Sequence, residues 1–538
     1  MKSSFFLLSF LLFFLVFCSG VEAVTWDTGQ FLFDYRSDVY YQDVFGNEKR
    51  SFLKEGTHYL QELTGDLTQE TVSGKVNFNA YFNLRSSDDP QHQIDERDVM
   101  FVQGYVRLYD DAYELQGGDY AEDYTSYTLG ASLLGVRAHL KPVDGVKVYA
   151  LWGRNRDEEL DRYVRNTFGG RVELSYRGLS LGATFVHNDV VRSSLKDDSP
   201  VGDEFNQVFG GDLKLSLFED RFELQAEYAR SIYNEDERDE TIEDEYDDAY
   251  FVKVQMRPFK GLALGAEFER VEPLFNTVMG SASPDMQRVK GEVELTPWDF
   301  LNVTLLHEYS FDKLTDDSVA DYRTHTHMTS AGLTLTPFYR REDYWNSLTL
   351  NLQGNFSDYY SSGNVDQEDL SISGTISQSF THWNYSIGYA FSRNWNHLDR
   401  SSEYESHSPS VSLGINYQWL SLQWNWSFNF GYEHRKALLY DYTDRIYRAD
   451  GALTLDYSET QSTLALSVGV EHCDNSPYLG TADNTRWSFA LNFDQVIKRS
   501  DKFTATVTLS SSYSDYDEDS PDADYGEAVH SLSLKLNF

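Results

Sequence analysis

Leu422-Gln423-Trp424-Asn425-Trp426-Ser427-Phe428-Asn429-Phe430-Gly431-Tyr432 alternates large apolar residues with small or polar ones and has no interruption. Successive side chains of a β-strand point to opposite faces, so the large residues form one row and the Gln, Asn, Ser and Gly residues form the other. A helix would need apolar residues three and four positions apart, and this stretch does not have that spacing. The stretch therefore predicts a strand with one apolar face and one polar face.

The same alternation recurs along nearly the whole chain, in segments of about 10 residues or slightly more that extend from about Val72 to Phe538. Clear examples begin at Leu179, Phe222 and Leu348. Prolines are rare, at 11 in 538 residues, and no Pro/Gly/Ser-rich linker divides the segments. The pattern favours a single large sheet over a series of separate domains.

Short and long connections between the segments alternate, which indicates how the sheet is arranged. Arg177-Gly178 and Trp419-Leu420 are short links, whereas Asn188 to Glu204 and Glu272 to Asp285 are long and polar. Transmembrane β-barrels have short turns at one end and long loops at the other, while a soluble sandwich has no reason to keep every second loop long. We therefore predict an all-β fold, a single transmembrane antiparallel up-and-down β-barrel of about 24 strands, within a range of 22 to 26.

The last eight residues, Ser531 to Phe538, alternate polar and apolar and stop on a phenylalanine. This segment resembles the closing strand of Gram-negative outer-membrane β-barrels, which the barrel assembly machinery reads. The resemblance implies a location in the outer membrane, contact with its lipid and lipopolysaccharide, and a periplasmic C-terminus. The residues expected to form the assembly signal are Leu532, Leu534, Leu536 and Phe538.

A second resemblance lies in the first third of the chain. Gly118-Asp119-Tyr120, the run Leu129 to Arg137, and the segment Gly145 to Arg156 are similar to a poorly characterised family of large bacterial outer-membrane barrels. This similarity implies a porin-like fold and an outer-membrane location, and it implies no activity. The remainder of the chain resembles outer-membrane barrels only in general.

The N-terminus predicts three divisions of the chain. Residues 1–23 are typical of a secretory signal peptide, with Lys2 before an apolar run and Val21-Glu22-Ala23 as the cleavage site. A lipoprotein signal at Cys18 is the less favoured alternative. Residues 24–71 are expected to supply one strand, with Arg36 to Thr71 forming a loop or a segment inside the lumen. The transmembrane barrel is expected to occupy residues 72–538.

Composition and motifs exclude several function classes. A net charge of -41 would repel nucleic acid phosphates, so no nucleic-acid partner is expected. The sequence has no haem attachment motif and no paired cysteines, and no cofactor is expected. No GxSxG or HExxH motif is present, and the predicted protein is not an enzyme. His325 and His327, with Ser330 nearby, are interpreted as polar histidines of the lumen.

Long external loops rich in carboxylates suggest a second property. The loop Asn234 to Asp248 holds ten carboxylates and one arginine, and a further cluster lies between Asp515 and Asp524. Such loops are expected to be solvated and mutually repulsive, with divalent cations such as Ca²⁺ or Mg²⁺ as alternative partners that would bridge to lipopolysaccharide phosphates. In either case the charge would draw cations towards the mouth of a pore.

The polar rows are expected to line the lumen because hydrocarbon cannot satisfy polar side chains. The predicted function is a porin-like channel for passive diffusion of small solutes or cations, with selectivity set by width and charge. The alternative is a barrel scaffold that surrounds or anchors a periplasmic or surface partner, such as an electron-transfer or export complex. No metal site is predicted, and the expected lumen and selectivity residues are Glu223, Glu227, Glu267, Glu292, Glu294, Arg171 and Lys214.

Overall fold

The structure is a computed structural model that describes residues 29–538 apart from 71–75, 93–98, 156–163, 196–201, 240, 316–317, 319–321, 363, 441, 476–482, 501–502 and 519–523. The predicted signal peptide, residues 1–23, lies outside the described residues. Among the described residues, no helix is long and apolar enough to cross a membrane.

The described residues form 26 strands in one sheet. In chain order they are β1 (Gly29–Gly46), β2 (Gly56–Glu70), β3 (Asn77–Ser87), β4 (Val99–Tyr109), β5 (Tyr113–Thr125), β6 (Leu129–Val143), β7 (Val146–Asn155), β8 (Arg165–Tyr176), β9 (Leu179–Val190), β10 (Phe205–Leu217), β11 (Phe222–Asn234), β12 (Glu245–Phe259), β13 (Leu262–Val271), β14 (Met286–Trp298), β15 (Leu301–Asp312), β16 (Thr324–Leu335), β17 (Thr349–Ser361), β18 (Asp366–Ser379), β19 (Trp383–Asn396), β20 (Tyr404–Trp419), β21 (Leu422–Ala437), β22 (Thr443–Tyr457), β23 (Ser462–Asp474), β24 (Asn484–Ser500), β25 (Phe503–Glu518) and β26 (Tyr525–Asn537).

Each strand pairs antiparallel with its neighbours in the chain, and β26 pairs with β1 to close the ring. At the junction Leu534 lies opposite Ser37, and Phe538 and Phe33 exchange backbone hydrogen bonds of 2.8 and 3.2 Å. The predicted single antiparallel up-and-down barrel is confirmed. Strands about 4.8 Å apart and tilted by roughly 40° would close 26 of them into a ring about 50 Å across.

The number of strands is at the upper limit of the predicted range. The N-terminal residues supply two strands of the wall, where one is predicted. Residues 29–70 form β1 and β2, two full wall strands, so the expectation of a loop or lumen segment over 36–71 is wrong. The barrel also begins at Gly29 and not at residue 72. The alternation is weak in β1 because Ser37 and Asp43 interrupt the apolar row that contains Val39 and Tyr41.

Cross-strand register connects the alternating residues into continuous rows around the ring. Leu532, Leu534 and Leu536 of β26 align with Val39, Ser37 and Tyr35 of β1, and this row faces outward. Ser531, Ser533 and Lys535 align with Tyr40, Asp38 and Arg36, and this row faces the lumen. Large outward-facing residues such as Leu532, at 49% exposure, are left uncovered by the protein itself.

Candidate functional site

The interior of the barrel is partly filled by a hairpin that leaves the wall. Strands β4 and β5 pair only from Tyr105–Tyr109 to Glu114–Gly118, and β6 begins to pair with β7 only at Leu133. Between these points β5 and β6 continue to pair with each other. Residues 119–132, called here the inner hairpin, therefore form a two-stranded unit whose backbone, among the residues that the structure describes, pairs with no wall strand on either side.

Glycine is required at two positions where the inner hairpin leaves the wall. Gly118 has φ +106°, a conformation that side-chain-bearing residues rarely adopt, and a Cβ there would collide with the carbonyl oxygen of Gly104. On the other strand, a Cβ at Gly135 would collide with the carbonyl oxygen of Trp152. Asp119 fixes the departure by accepting a 2.6 Å hydrogen bond from the Gly104 amide.

The tip of the inner hairpin contacts the luminal face of the strands across the interior. The Tyr127 hydroxyl donates to Glu269 Oε1 of β13 at 3.0 Å, and the Tyr127 amide donates to Glu227 Oε1 of β11 at 3.3 Å. Next to it, a Cβ at Gly210 of β10 would lie 2.6 Å from Thr128 Cγ2. These contacts join residues about 100 positions apart in sequence, so they span the lumen instead of following the wall.

The connection between β13 and β14, residues 272–285, covers the inner hairpin and is called here the capping loop. The Gly130 amide donates to the Met279 carbonyl at 2.7 Å, and the Ser281 amide donates to the Ser126 carbonyl at 2.8 Å. The ring of Phe275 meets the ring of Tyr127 edge to face, with centroids 6.0 Å apart. The two elements therefore form one inserted unit.

The apolar core of the described residues lies between this inserted unit and the wall. Two apolar clusters lie between the inner hairpin, the capping loop and the wall, and each contains luminal residues that are fully buried, such as Val186 and Val208. Burying a large apolar side chain is worth about 1.5–3 kcal/mol, so several such contacts hold the unit firmly. The inserted unit covers these apolar luminal residues, which explains why they occur on an otherwise polar luminal face.

The luminal rows of β10 to β15, called here the charged wall, contain most of the predicted selectivity residues. Arg288 of β14 lies between two carboxylates, 2.8 Å from Glu267 Oε1 and 2.7 Å from Glu269 Oε2. Lys253 Nζ lies 3.8 Å from the other oxygen of Glu267. Glu269 also accepts from Tyr127, so the inserted unit and the charged wall share a carboxylate.

The structure brings the remaining predicted residues to the same luminal face, each beside a polar group. Arg171 of β8 forms a two-pronged ion pair with Asp212 of β10, at 2.5 and 2.9 Å. The other pairings are Glu223 with Arg257 at 3.6 Å, Glu292 with Lys290 at 3.8 Å, Glu294 with Asn302 at 2.9 Å, Glu227 with the Tyr127 amide, and Lys214 in register with Ser180 and Gln225. Their role in selectivity stays a prediction.

Sequence reasoning missed a second ionic cluster at the base of the inner hairpin. Arg137 of β6 donates to Glu114 at 2.8 Å, to Gln116 at 2.9 Å and to Glu122 at 3.0 Å. His139 Nε2 lies 2.9 Å from Glu122. The polar alternation in 114–139 could have indicated a luminal row, but the pairings depend on the register between β5 and β6.

The adjoining part of the ring has a different lining. On the luminal rows of β16 to β20, called here the neutral wall, nearly all side chains are Ser, Thr, Asn or Gln, and Asp369 is the single charged residue among these fully described strands. Luminal Ser410 of β20 and Ser427 and Asn429 of β21 are exposed. Inward-facing residues stay exposed only beside open, solvent-filled space, so the lumen is packed along one side and open along the other.

The structure overturns one further sequence interpretation. His325 and His327 lie on the outward row of β16, not in the lumen, because Ser330 and not the histidines shares the row of luminal Asn355. The His325 ring stacks on Tyr360 at 4.7 Å, and the His327 ring stacks on Tyr309 at 4.6 Å. The interpretation as lumen histidines is wrong because one register step exchanges the two faces.

In the acidic loop between β11 and β12, Arg238 lies 2.6 Å from Asp236 and holds the pKa of that carboxyl well below its usual range. Among the described residues, no group of three or more His, Cys, Asp or Glu side chains is arranged to hold a metal ion.

One protein family and several solved structures are similar to this chain. The model of one protein family, the β-barrel domain of the S-layer protein SlpA, matches residues 110–303, just over a third of the chain. That match begins before β5 and ends near the start of β15, so it contains the inner hairpin, the capping loop and the charged wall except for most of β15. No curated protein matches the sequence.

Solved structures similar to this one are large barrels. A chain of the E. coli P pilus tip assembly intermediate PapC-PapD-PapK-PapG is 11% identical with TM-score 0.48; the match covers 96% of this chain, which spans 62% of that one. OprD of Pseudomonas aeruginosa is 12% identical with TM-score 0.33 and coverages of 69% and 94%. OccAB3 of Acinetobacter baumannii is 11% identical with TM-score 0.27 and coverages of 95% and 100%.

Proposed function

We propose that this protein is an outer-membrane channel for the passive diffusion of small hydrophilic solutes, narrowed by the inner hairpin and the capping loop. The exposure of luminal Ser410, Ser427 and Asn429 carries the proposal, because water reaches side chains inside a closed ring. The outward rows of uncovered leucines and aromatics support a location in lipid, where only helices and closed barrels satisfy every backbone polar group.

The inserted unit supports a channel of limited width. It fills the side of the lumen beside β7 to β13 and leaves the side beside β16 to β21 open. Solutes would therefore pass between the inserted unit and the neutral wall. The luminal charge would favour cations weakly. Carboxylates slightly outnumber the cations around Arg288 and Lys253, and the whole chain is strongly acidic.

The loop lengths support a proposed orientation of the barrel in the membrane. The C-terminal end of β26 lies at the end of the barrel with the short links, which would be the periplasmic end. Long loops such as 191–204 and 272–285 would then lie at the cell surface. Lipopolysaccharide would surround the outward rows there, and the assembly machinery would recognise the closing strand.

Planar-bilayer recording of the purified protein tests the proposal. We expect stable ohmic channels with weak cation selectivity, and liposomes that contain the protein should swell in isotonic solutions of small neutral solutes. A correctly folded barrel that neither conducts ions nor causes swelling would contradict it. If that closed barrel copurified with a periplasmic or surface partner, the scaffold function would be favoured instead.

A further inference from the structure

A cavity of about 600 Å³ lies on the neutral wall, at the end of the lumen with the long loops. It is lined mainly by residues of five adjacent strands, β17 to β21, among them Asn355 of β17, Asp369 of β18 and Asn394 of β19. Its volume falls within the range of about 300–1,000 Å³ that is typical of ligand sites. The cavity lies away from the inserted unit and the charged wall.

Register places the polar groups of this cavity in two rows across the strands. Asn355, Ser371 and Ser392 are consecutive partners in one row, and Ser357, Asp369 and Asn394 are consecutive partners in the next. Hydroxyl, amide and carboxylate groups therefore lie side by side along the cavity, which opens into the lumen. Each amide supplies two donors and an acceptor, and each hydroxyl supplies one donor and accepts as well.

Asp369 is the fixed point of this surface. Its carboxylate accepts from Asn394 Nδ2 at 2.7 Å and from Gln367 Nε2 at 2.8 Å, so its two neighbours hold it in place. A carboxylate has about four acceptor sites, and these two bonds leave acceptor capacity that faces the cavity. Asn394 is almost completely buried and is therefore itself well fixed.

The charge of the cavity argues against an ionic ligand. Three charged residues line the cavity: Asp369, Arg393 and Arg435. Both arginines are already engaged, because Arg393 lies 3.7 Å from Glu405 and Arg435 holds its guanidinium carbon 4.1 Å above the Tyr404 ring. A ligand with a net charge would give up its hydration for a surface of mainly neutral dipoles, which costs free energy. A ligand that bears many hydroxyls and no charge would instead find a partner for each hydroxyl.

We infer that this cavity is a binding site for a neutral polyhydroxylated ligand, a short oligosaccharide, in which Asp369 and Asn394 bind adjacent hydroxyls. The inference deepens the proposed channel function, on which it rests, since the ligand reaches the site through the open side of the lumen. The neutral wall then forms the path along which such a solute moves, and the cavity is its point of temporary retention.

Calorimetric titration of the detergent-solubilised protein with maltotriose tests the inference independently of any channel measurement. Saturable binding is expected for the unaltered protein, and trigalacturonate, an acidic trisaccharide, should bind much more weakly. Asp369→Ala should weaken maltotriose binding roughly tenfold or more, because hydrogen bonds to a charged group are among the stronger ones. Ser392→Trp, which fills the cavity without removing the carboxylate, should weaken it as well.

Asp494→Ala is the matched control, because Asp494 is a luminal carboxylate of β24 that likewise accepts from an asparagine, Asn492, at 2.8 Å. This variant should bind maltotriose like the unaltered protein. Absence of binding to the unaltered protein, equal binding of the acidic trisaccharide, or equal losses in the Asp369 and Asp494 variants would overturn the inference. Binding by a barrel that fails to conduct would support the site and contradict the proposed channel.

Discussion

The hydroxyl of Tyr127 lies 3.0 Å from Oε1 of Glu269, a residue 142 positions further along the chain and on a strand across the lumen. Glu269 in turn lies 2.7 Å from Arg288. One tyrosine at the tip of the inner hairpin is thus tied to the ion pairs of the charged wall. The position of the hairpin and the electrostatics of the lumen are coupled by this contact.

Truncating Tyr127 should release the inner hairpin. Replacing a large buried aromatic residue by alanine costs about 3–5 kcal/mol, and Glu269 would also lose the hydroxyl that donates to it. Tyr127→Ala should therefore raise single-channel conductance in planar bilayers and make it noisier. Tyr127→Phe keeps the ring against Phe275 and should have a smaller effect. Tyr513→Ala, on the outward face, is the control, and equal conductance in the Tyr127→Ala and Tyr513→Ala variants would refute the coupling.

Gly118 should tolerate no side chain. Its φ of +106° strains any residue with a Cβ by about 1–3 kcal/mol, and the collision with the Gly104 carbonyl adds to this cost. Gly118→Val should lower the yield of folded barrel, measured as the heat-sensitive mobility shift on gel electrophoresis. Gly291→Ala is the matched control because a Cβ there meets nothing within 4 Å. A normal yield of Gly118→Val would show that the departure from the wall does not need this conformation.

Arg288 should set the charge balance of the lumen. Arg288→Ala leaves Glu267 and Glu269 without the cation that lies between them, and Lys253 remains near only the first. The reversal potential in a salt gradient should shift towards greater cation selectivity, and Glu267→Gln should shift it in the opposite direction. Lys535→Ala, a luminal change far from this cluster on β26, should shift it less. Shifts of the same sign in Arg288→Ala and Glu267→Gln would contradict this assignment.

The closing strand should govern assembly more than permeation. Leu534 faces outward between Val507 and Ser37, and a lysine on a lipid-facing position costs up to about 2–4 kcal/mol near the middle of the bilayer. Leu534→Lys and removal of Phe538 should both reduce the amount of barrel recovered from outer membranes. Lys535→Ala, on the luminal row, should not. Normal membrane levels of both altered proteins would defeat the prediction.

The class of fold and the two faces of the wall follow from local sequence alone. Alternation such as that of 422–432 is a local property, since a strand places every second side chain on the same face whatever its neighbours are. It located most strands and assigned Glu267, Arg171 and the other predicted residues to the luminal rows. It failed over 36–71, where outward-facing Ser37 and Asp43 weaken the local pattern although pairing with β26 and β2 still makes those residues part of the wall.

Which part of the ring is open depends on the tertiary structure. The departure of residues 119–132 into the lumen depends on the backbone conformation at Gly118 and on contacts with Glu227, Glu269 and the capping loop. Those partners lie about 100 residues or more away in sequence, and no local pattern encodes which of them meet. The separation into a charged wall and a neutral wall likewise depends on the register of β10 to β20, which aligns the charged and the neutral luminal residues of successive strands in adjoining parts of the ring.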